Sequence, residues 1–326
     1  MTTEILAPPT VFRSFILRTA QLTVDGLQSA PPLLPPDVRD QALHTLSFCF
    51  KLEDAWQLTR DILLNLAPKM ELMGHRYDWI PYLEQGIEVS LHREDRRSAA
   101  EYQLQLGILY RKLSEFVAAQ SYVQASIENF VLIRDQEGTV HSLNELAWIE
   151  HLVHRYDDAW QHAQDALKLL EELTINKGMT YRVLGLICHD QNRFAEAESF
   201  HRHSLQWFQI EQDERKISWA LQNLANSLRN QRRFDEAIIY YQQAAQTLFA
   251  MGDVYHWALV QLNLGTLYCN QEQPGEGLKY HIDGNQALLK FGDKLNIAKS
   301  NTGLGIAHLM LENYGEAEVG FQNSIA

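Results

Sequence analysis

The segment LANSLRNQRRFDEAIIYYQQAA, beginning at Leu224, is one of six stretches of this chain that align without a gap. Their first leucines are Leu106, Leu146, Leu184, Leu224, Leu264 and Leu304, at successive intervals of 40, 38, 40, 40 and 40 residues. A seventh, weaker copy precedes them, with Tyr77 standing 39 residues before Phe116. Self-similarity at such a period means that one supersecondary unit is stacked on copies of itself, because no single unit buries its apolar face alone. At 326 residues a single compact core is already disfavoured, so the repeat accounts for the length as well.

Each column of the alignment has a physical reading. A leucine followed by a small residue opens every copy: Leu106-Gly107, Leu146-Ala147, Leu184-Gly185, Leu224-Ala225, Leu264-Gly265 and Leu304-Gly305. Glycine inside a helix costs about 1 kcal/mol relative to alanine, so its recurrence implies a neighbouring helix that needs the room. A turn follows, then an aromatic residue (Phe116, Tyr156, Phe194, Phe234, Tyr314), replaced once by Pro274. Three residues later stands Ala119, Ala159, Ala197, Ala237 or Ala317, and seven further on a second small residue: Ser126, Ala166, Ser204, Ala244, Gly284 or Ser324. Small residues at this spacing let two antiparallel helices, A and B, pack closely.

This order of Leu-Gly, aromatic, alanine and second small residue resembles the tetratricopeptide repeat, whose usual length is about 34 residues. The longer period here, and linkers such as Met251-Gly252-Asp253 and Phe291-Gly292-Asp293, resemble the long-repeat branch of that family. That branch includes Pins/LGN-type scaffolds and the repeat regions of MalT-like regulators and bacterial signalling ATPases. The resemblance covers residues 53–326. It implies an all-α, right-handed superhelical solenoid of antiparallel helix pairs with about seven repeats, the first degenerate and the last without a closing helix.

Residues 1–52 read as capping helices with a Pro-rich linker. Six of the nine prolines lie in the first 36 residues, and helices are expected at Val11–Gln28 and Asp37–Phe50. In the degenerate first repeat Pro68 falls where glycine is expected, which predicts a kinked or split helix A, and Ile80 takes the alanine column. The chain stops at Ala326 inside a helix B, which reads as a truncated sequence in preference to a surface covered by another chain or a frayed end. The hairpin at 271–286, with Pro274, Gly277 and Gly284, is expected to be the most mobile of the inner ones.

Chemistry is sparse. The net charge of −13 lacks the cationic footprint of a nucleic-acid or anionic-membrane binder. No apolar run reaches the roughly 18 residues of a membrane span, and the N-terminus lacks a secretory signal, so a cytoplasmic location is expected. Cys49, Cys188 and Cys269 are scattered, with no CxxC pair, and the last two fall on core positions. The densest histidine groups, His151 with His154 and His201-Arg202-His203 near Glu198, lack metal-ligand spacing. GLGIAH at 303–308 follows no strand, and no phosphate-binding loop or nucleophile motif occurs. No enzyme activity, metal or cofactor is expected.

A partner is expected instead, and the resemblance places it in a concave groove lined by the A helices. The positions flanking the Leu-Gly pair would grip a peptide backbone, an amide donating to a carbonyl and accepting from an N–H at once. Here they are Asn223 and Asn226 around Leu224-Ala225, Asn263 before Leu264, and Asn144 and Trp148 around Leu146. One turn on, Arg111, His151, His189 and Arg229 share a column, followed by Lys112, Asp190, Asn230 and Asn270. Gln105, Glu145, Val183 and Gly303 replace the asparagine of Asn223 and Asn263 in other copies. Such a wall suits a peptide bearing carboxylates. Two functions fit: a scaffold or adaptor for a protein or peptide, and the sensor arm of a larger signalling or transcription-regulating protein. The oligomeric state is not encoded in these features.

Overall fold

The structure, a computed structural model, describes residues 10–31, 33–73, 76–171, 173, 177–291 and 293–325. Among them are helices and turns and no strand. The chain divides into two compact units, 1–145 and 146–326.

The first unit begins with α1 (Thr10–Ser29) and α2 (Pro36–Cys49), within a residue of the expected spans, followed by a short 3-10 turn at Glu53–Ala55. Then come α3 (Trp56–Leu72), α4 (Arg76–His92), α5 (Arg96–Lys112), α6 (Phe116–Leu132) and most of α7 (Gln136–Leu152). Ile16, Val24 and Leu27 of α1 and Leu46 of α2 share one core with Ile62, Leu66, Trp79, Leu83, Tyr102 and Leu106. Arg13 pairs with Asp54 at 2.8 Å, and Lys69 Nζ donates to the Ala30 carbonyl at 2.9 Å, fixing α1 on α3. The expected split at Pro68 does not occur: α3 runs through it as one helix. Pro68 lies in the last turns, where its missing N–H removes a single ladder bond. Ile80, in the alanine column, packs half-buried against the same core.

The second unit contains the rest of α7, α8 (Tyr156–Glu171), α9 (Gly178–Asp190) and α10 (Phe194–Glu211). It continues with α11 (Glu214–Asn230), α12 (Phe234–Ala250), α13 (Val254–Asn270), α14 (Pro274–Leu289), α15 (Lys294–Met310) and α16 (Tyr314–Ile325). α9/α10, α11/α12, α13/α14 and α15/α16 pack as hairpins, and α9, α11, α13 and α15 touch in succession as A helices.

The small residue after each leucine faces the side chain sixteen positions later. A Cβ on Gly107 would lie 2.3 Å from Val123 Cγ2, on Gly185 2.3 Å from His201 Cε1, on Gly265 2.8 Å from His281, and on Gly305 2.8 Å from Phe321. Glycine is thus selected by a ring or branched chain on the B helix. His201 is only 1% exposed and Cys49, Cys188 and Cys269 are all buried as free thiols.

Turns repeat as strictly. Ser114, His154, Asn192, Arg232, Glu272 and Glu312 each stand eight residues after the column leucine and adopt positive φ, between 60° and 63°. The following N–H closes on a carbonyl of the preceding helix, as Arg233 does on Leu228 at 3.0 Å. Asp95, Asp135, Asp213, Asp253 and Asp293 cap the A helices, each carboxylate accepting from the backbone N–H three residues on. A side chain near the start of the preceding A helix also reaches these caps: Arg97 to Asp135, Arg215 to Asp253 and Tyr255 to Asp293, at 2.7, 2.7 and 2.6 Å. Asp135, Asp253 and Asp293 therefore each start their own helix and bolt it to the previous repeat.

Candidate functional site

In the second unit the A helices carry two rows of polar and aromatic contacts. The first links their C-terminal ends. His151 Nε2 donates to Asp190 Oδ2 at 2.8 Å, and His189 Nδ1 donates to Asp190 Oδ1 at 3.1 Å. His189 Nε2 then accepts from Asn230 Nδ2 at 2.8 Å, so the row crosses from α7 to α9 to α11. Burial alone would raise the Asp190 carboxyl, but the two imidazoles hold it well below the usual carboxylate range.

The second row is a stack of indoles and guanidinium groups. The Arg182 guanidinium lies 4.2 Å from the Trp148 ring centre and 5.1 Å from that of Trp219. Arg215 lies 5.2 Å from the Trp219 ring, and the His256 ring is 5.2 Å from it. Asp253, 2% exposed, accepts from both Arg215 and His256. Burial favours its neutral form, yet His256 and Arg215 hold the carboxyl far below its ordinary value. Planar cations between aromatic faces are attracted by the ring quadrupole and lose little freedom on stacking.

Between these rows runs a strip on α11: Asn223, Asn226 and Arg229, spaced three residues apart and so on one face of the helix. Asn223 is 7% exposed and its Nδ2 has no hydrogen-bond partner. Arg229 is half-buried, and its Nε is likewise buried without a partner. Asn226 is oriented from the other helix of its hairpin, the buried Tyr241 of α12 donating its O–H to Asn226 Oδ1. Asn263 is half-buried on α13, and Asn270 is exposed at the end of that helix.

The sequence-selected residues therefore divide. His151, His189 and Asn230 are joined with Asp190, and Trp148 packs on Arg182. Asn223, Asn226 and Arg229 lie together on α11. In the first unit Arg111 pairs with Glu145 through two nitrogens, Lys112 is half-buried at the end of α5, and Asn144 is 5% exposed. Two expectations change. The positive charge of the Arg111 column is neutralised at its first member, by the same Glu145 that reads in sequence as a lost asparagine. Asn226 Oδ1 already accepts from Tyr241, so one of its two acceptor positions is taken within the hairpin.

Arg182, Trp219, Arg215 and Tyr241 were not selected from the sequence as site residues. Trp219 and Arg215 lie outside the turn that flanks the Leu-Gly pair, whereas Arg182 stands in the column of Asn144, two residues before the leucine; a tryptophan in one copy paired with an arginine in the next was the available signal. No group of histidine, cysteine and carboxylate side chains among the described residues is arranged to hold a metal ion. No helix among them is long and apolar enough to cross a membrane.

Comparison with known proteins agrees with this architecture. The family model for the tetratricopeptide repeat matches residues 177–248. No curated protein matches. Among solved structures, a Rap protein complexed with competence and sporulation factor superimposes with a TM-score of 0.74 at 14% identity, over 99% of this chain and 88% of that one. The Rap conjugation gene regulator of plasmid pLS20, in complex with the Phr* peptide, gives 0.62 at 12% identity, over 95% and 94%. A signal transduction ATPase with numerous domains and a tetratricopeptide repeat sensor, from Pyrococcus horikoshii, gives 0.58 at 12% identity, over 88% of this chain and 46% of that one. The 40-residue hairpin, its glycine and alanine columns and the matched segment agree: residues 177–248 match the tetratricopeptide repeat, and helix pairs of the same form lie on both sides of that segment.

Proposed function

We propose that the A-helix face of the second unit binds a peptide or protein segment, and that the chain works as a scaffold or adaptor and not as a catalyst. One observation carries this reading: the A-helix face holds buried polar atoms without hydrogen-bond partners, Asn223 Nδ2 and Arg229 Nε on the strip and His151 Nδ1 and Trp219 Nε1 in the rows beside it. Leaving buried donors unmatched is unfavourable by about 1–3 kcal/mol each, and a ligand rich in oxygen acceptors relieves it. The complexes of Rap proteins with a peptide and with competence and sporulation factor support the same class of partner. A net charge of −13 argues against nucleic acid and anionic membranes. Residues 1–52 fit the role of a cap on the first repeat, since α1 and α2 share its core.

The test is capture on an array of random-sequence peptides by the full chain and by Asn226→Ala with Arg229→Ala. Loss of capture by the double variant with unchanged helicity is expected. Equal capture by both proteins overturns the assignment of the face.

A second reading is the sensor arm of a larger signalling protein. It is supported by the likeness to the ATPase with a tetratricopeptide repeat sensor, of which this chain spans 46%. An adjoining ATPase or DNA-binding module in the gene would favour it over a free-standing adaptor.

A further inference from the structure

Four columns of the repeat are covered in the other hairpins and open in α15 and α16. The position six before the column leucine is buried as Ala100, Val140, Gly178, Ser218 and Ala258, but only half-buried as Ala298. Seventeen after the leucine, Val123, Ala163, His201, Tyr241 and His281 are at most 2% exposed, whereas Phe321 is half-buried. The cover over this column comes from the following A helix, as Gly303 of α15 lies on His281. Ser126, Ala166, Ser204, Ala244 and Gly284 are buried and Ser324 is half-buried. Ile325 shares a column with the half-buried Leu205 and the buried Ala245, yet it is 87% exposed. The face of α15 and α16 turned away from α13 and α14 thus packs against nothing among the described residues.

The chemistry of that face differs from the one by which repeats join each other. Nine residues before the column leucine, Arg97, Arg215 and Tyr255 reach the capping aspartate of the next repeat. In α15 the same column holds Leu295, which is 49% exposed and has nothing to offer a carboxylate. An outer face left to water ordinarily carries polar residues, and contiguous apolar exposure marks a contact surface. The charges around it are sorted by helix. α15 carries Lys294 and Lys299 and no carboxylate, while α16 carries Glu316 and Glu318 and neither lysine nor arginine. All four are exposed, and none forms an ion pair among the described residues.

We propose that this face docks on the same face of a second copy of the chain, forming a two-fold dimer in which each α15 lies on the partner's α16. A two-fold contact needs a surface complementary to itself, and two helices of opposite sign provide one. Lys299 then lies towards the partner's Glu318, and the symmetry repeats that attraction, whereas α15 on α15 would oppose like charges. Leu295, Ala298, Phe321 and Ile325 supply the apolar part. The two helices have 17 and 12 residues. At 1.5 Å per residue they are about 25 and 18 Å long, so the pair offers roughly 500 Å² from each copy and about 1,000 Å² in all, the lower limit for a specific complex. The dimer is accordingly reversible. It uses none of the residues assigned to the binding of a peptide or protein segment and stands independently of that reading.

Sedimentation velocity of the full chain between about 1 and 200 µM tests the dimer, which is expected to form within that range. Ile325→Asp changes a side chain that is 87% exposed, so helicity should be unaltered while the dissociation constant rises by about tenfold or more. Lys299→Glu and Glu318→Lys should each weaken association by about threefold or more. An equimolar mixture of those two variants should associate as well as wild type, because both contacts then join opposite signs across the two chains. A chain that sediments as a monomer throughout overturns the proposal and leaves the face to a different protein or to a further segment of a longer chain. A dimer indifferent to Ile325→Asp lies on another surface, which also overturns it. A dimer sensitive to Ile325→Asp, but with no recovery in the mixture, overturns the placing of α15 on the partner's α16.

Discussion

The His201 imidazole fills the space in which a side chain on Gly185 would stand: a Cβ there lies 2.3 Å from Cε1 and 2.4 Å from Nδ1. The glycine of α9 and the histidine of α10 are one packing unit. Gly185→Ala should therefore destabilise the chain by about 1–3 kcal/mol despite alanine's better helix propensity, because a buried ring must move. Adding His201→Ala should recover part of that loss, since the pair would then match Ala147 and Ala163, which occupy the same two columns and are both buried. Urea titration of the two single variants and the double one gives the coupling, expected at about 1 kcal/mol or more. Strict additivity would show that the two residues are not in register.

Asp253 caps α13 and anchors Arg215 and His256 from a site that is 2% exposed. Asp253→Ala should cost about 2–4 kcal/mol, more than an ordinary cap, because it strands two partly buried basic groups. The pH sign follows from the depressed carboxyl. Its contribution is complete above the unfolded carboxyl's value near 3.8 and is lost as pH falls through the lower folded value. Urea midpoints of wild type and Asp253→Ala should stay apart down to about pH 3.8 and draw together as pH falls further. A constant difference between them at low pH would contradict the carboxylate's role.

The hairpin, its period and its small columns were legible because each is a property of one position repeated through the chain. What was not legible lies between different columns of successive repeats. Glu145 reads as a departure when set against Asn223, yet it is the counter-ion of Arg111, 34 residues earlier. His151 and Asp190 meet across 39 residues, and His189 and Asn230 across 41. The orientation of Asn226 comes from the B helix, fifteen residues on, through a tyrosine that the alignment shows only as a bulky packing residue. A row of capping aspartates at 40-residue spacing was open to view, but only Asp253 and Asp293 drew attention, as parts of linkers.

His281 is wedged between Gly265 and Gly303, and burial pushes its imidazole down to about 4. Above about pH 6.5 the ring is neutral both folded and unfolded. As pH falls from there towards 4, the unfolded chain takes up a proton that the folded one refuses, so stability declines by roughly 1.4 kcal/mol per pH unit for this residue. His201, lowered to about 3 by burial first and then by the charges of His189 and Arg182, adds to the loss in the same direction. His281→Phe should flatten the slope of the urea midpoint between pH 7 and 5. An unchanged slope would mean that the ring is protonated in the folded chain.

The hairpin of α13 and α14 decides between two meanings of glycine. If Gly277 merely loosens α14, Gly277→Ala should stabilise the chain by about 1 kcal/mol and slow amide exchange across 274–289. The packing favours the opposite result. A Cβ on Gly277 would lie 2.6 Å from Cys269 Sγ and 2.7 Å from the Gly265 carbonyl, and one on Gly284 would lie 2.7 Å from Leu262 Cδ2 and 3.0 Å from the Ala258 carbonyl. Both glycines let the two helices meet backbone to backbone, so alanine at either position must part them. Each variant is expected to lose about 1–2 kcal/mol and to exchange faster over 274–289 than wild type. In the wild type this hairpin should exchange no faster than 231–246, in place of the mobility that glycine content alone suggests. A stabilised, slower-exchanging Gly277→Ala would return the glycines to the role of softening the helix.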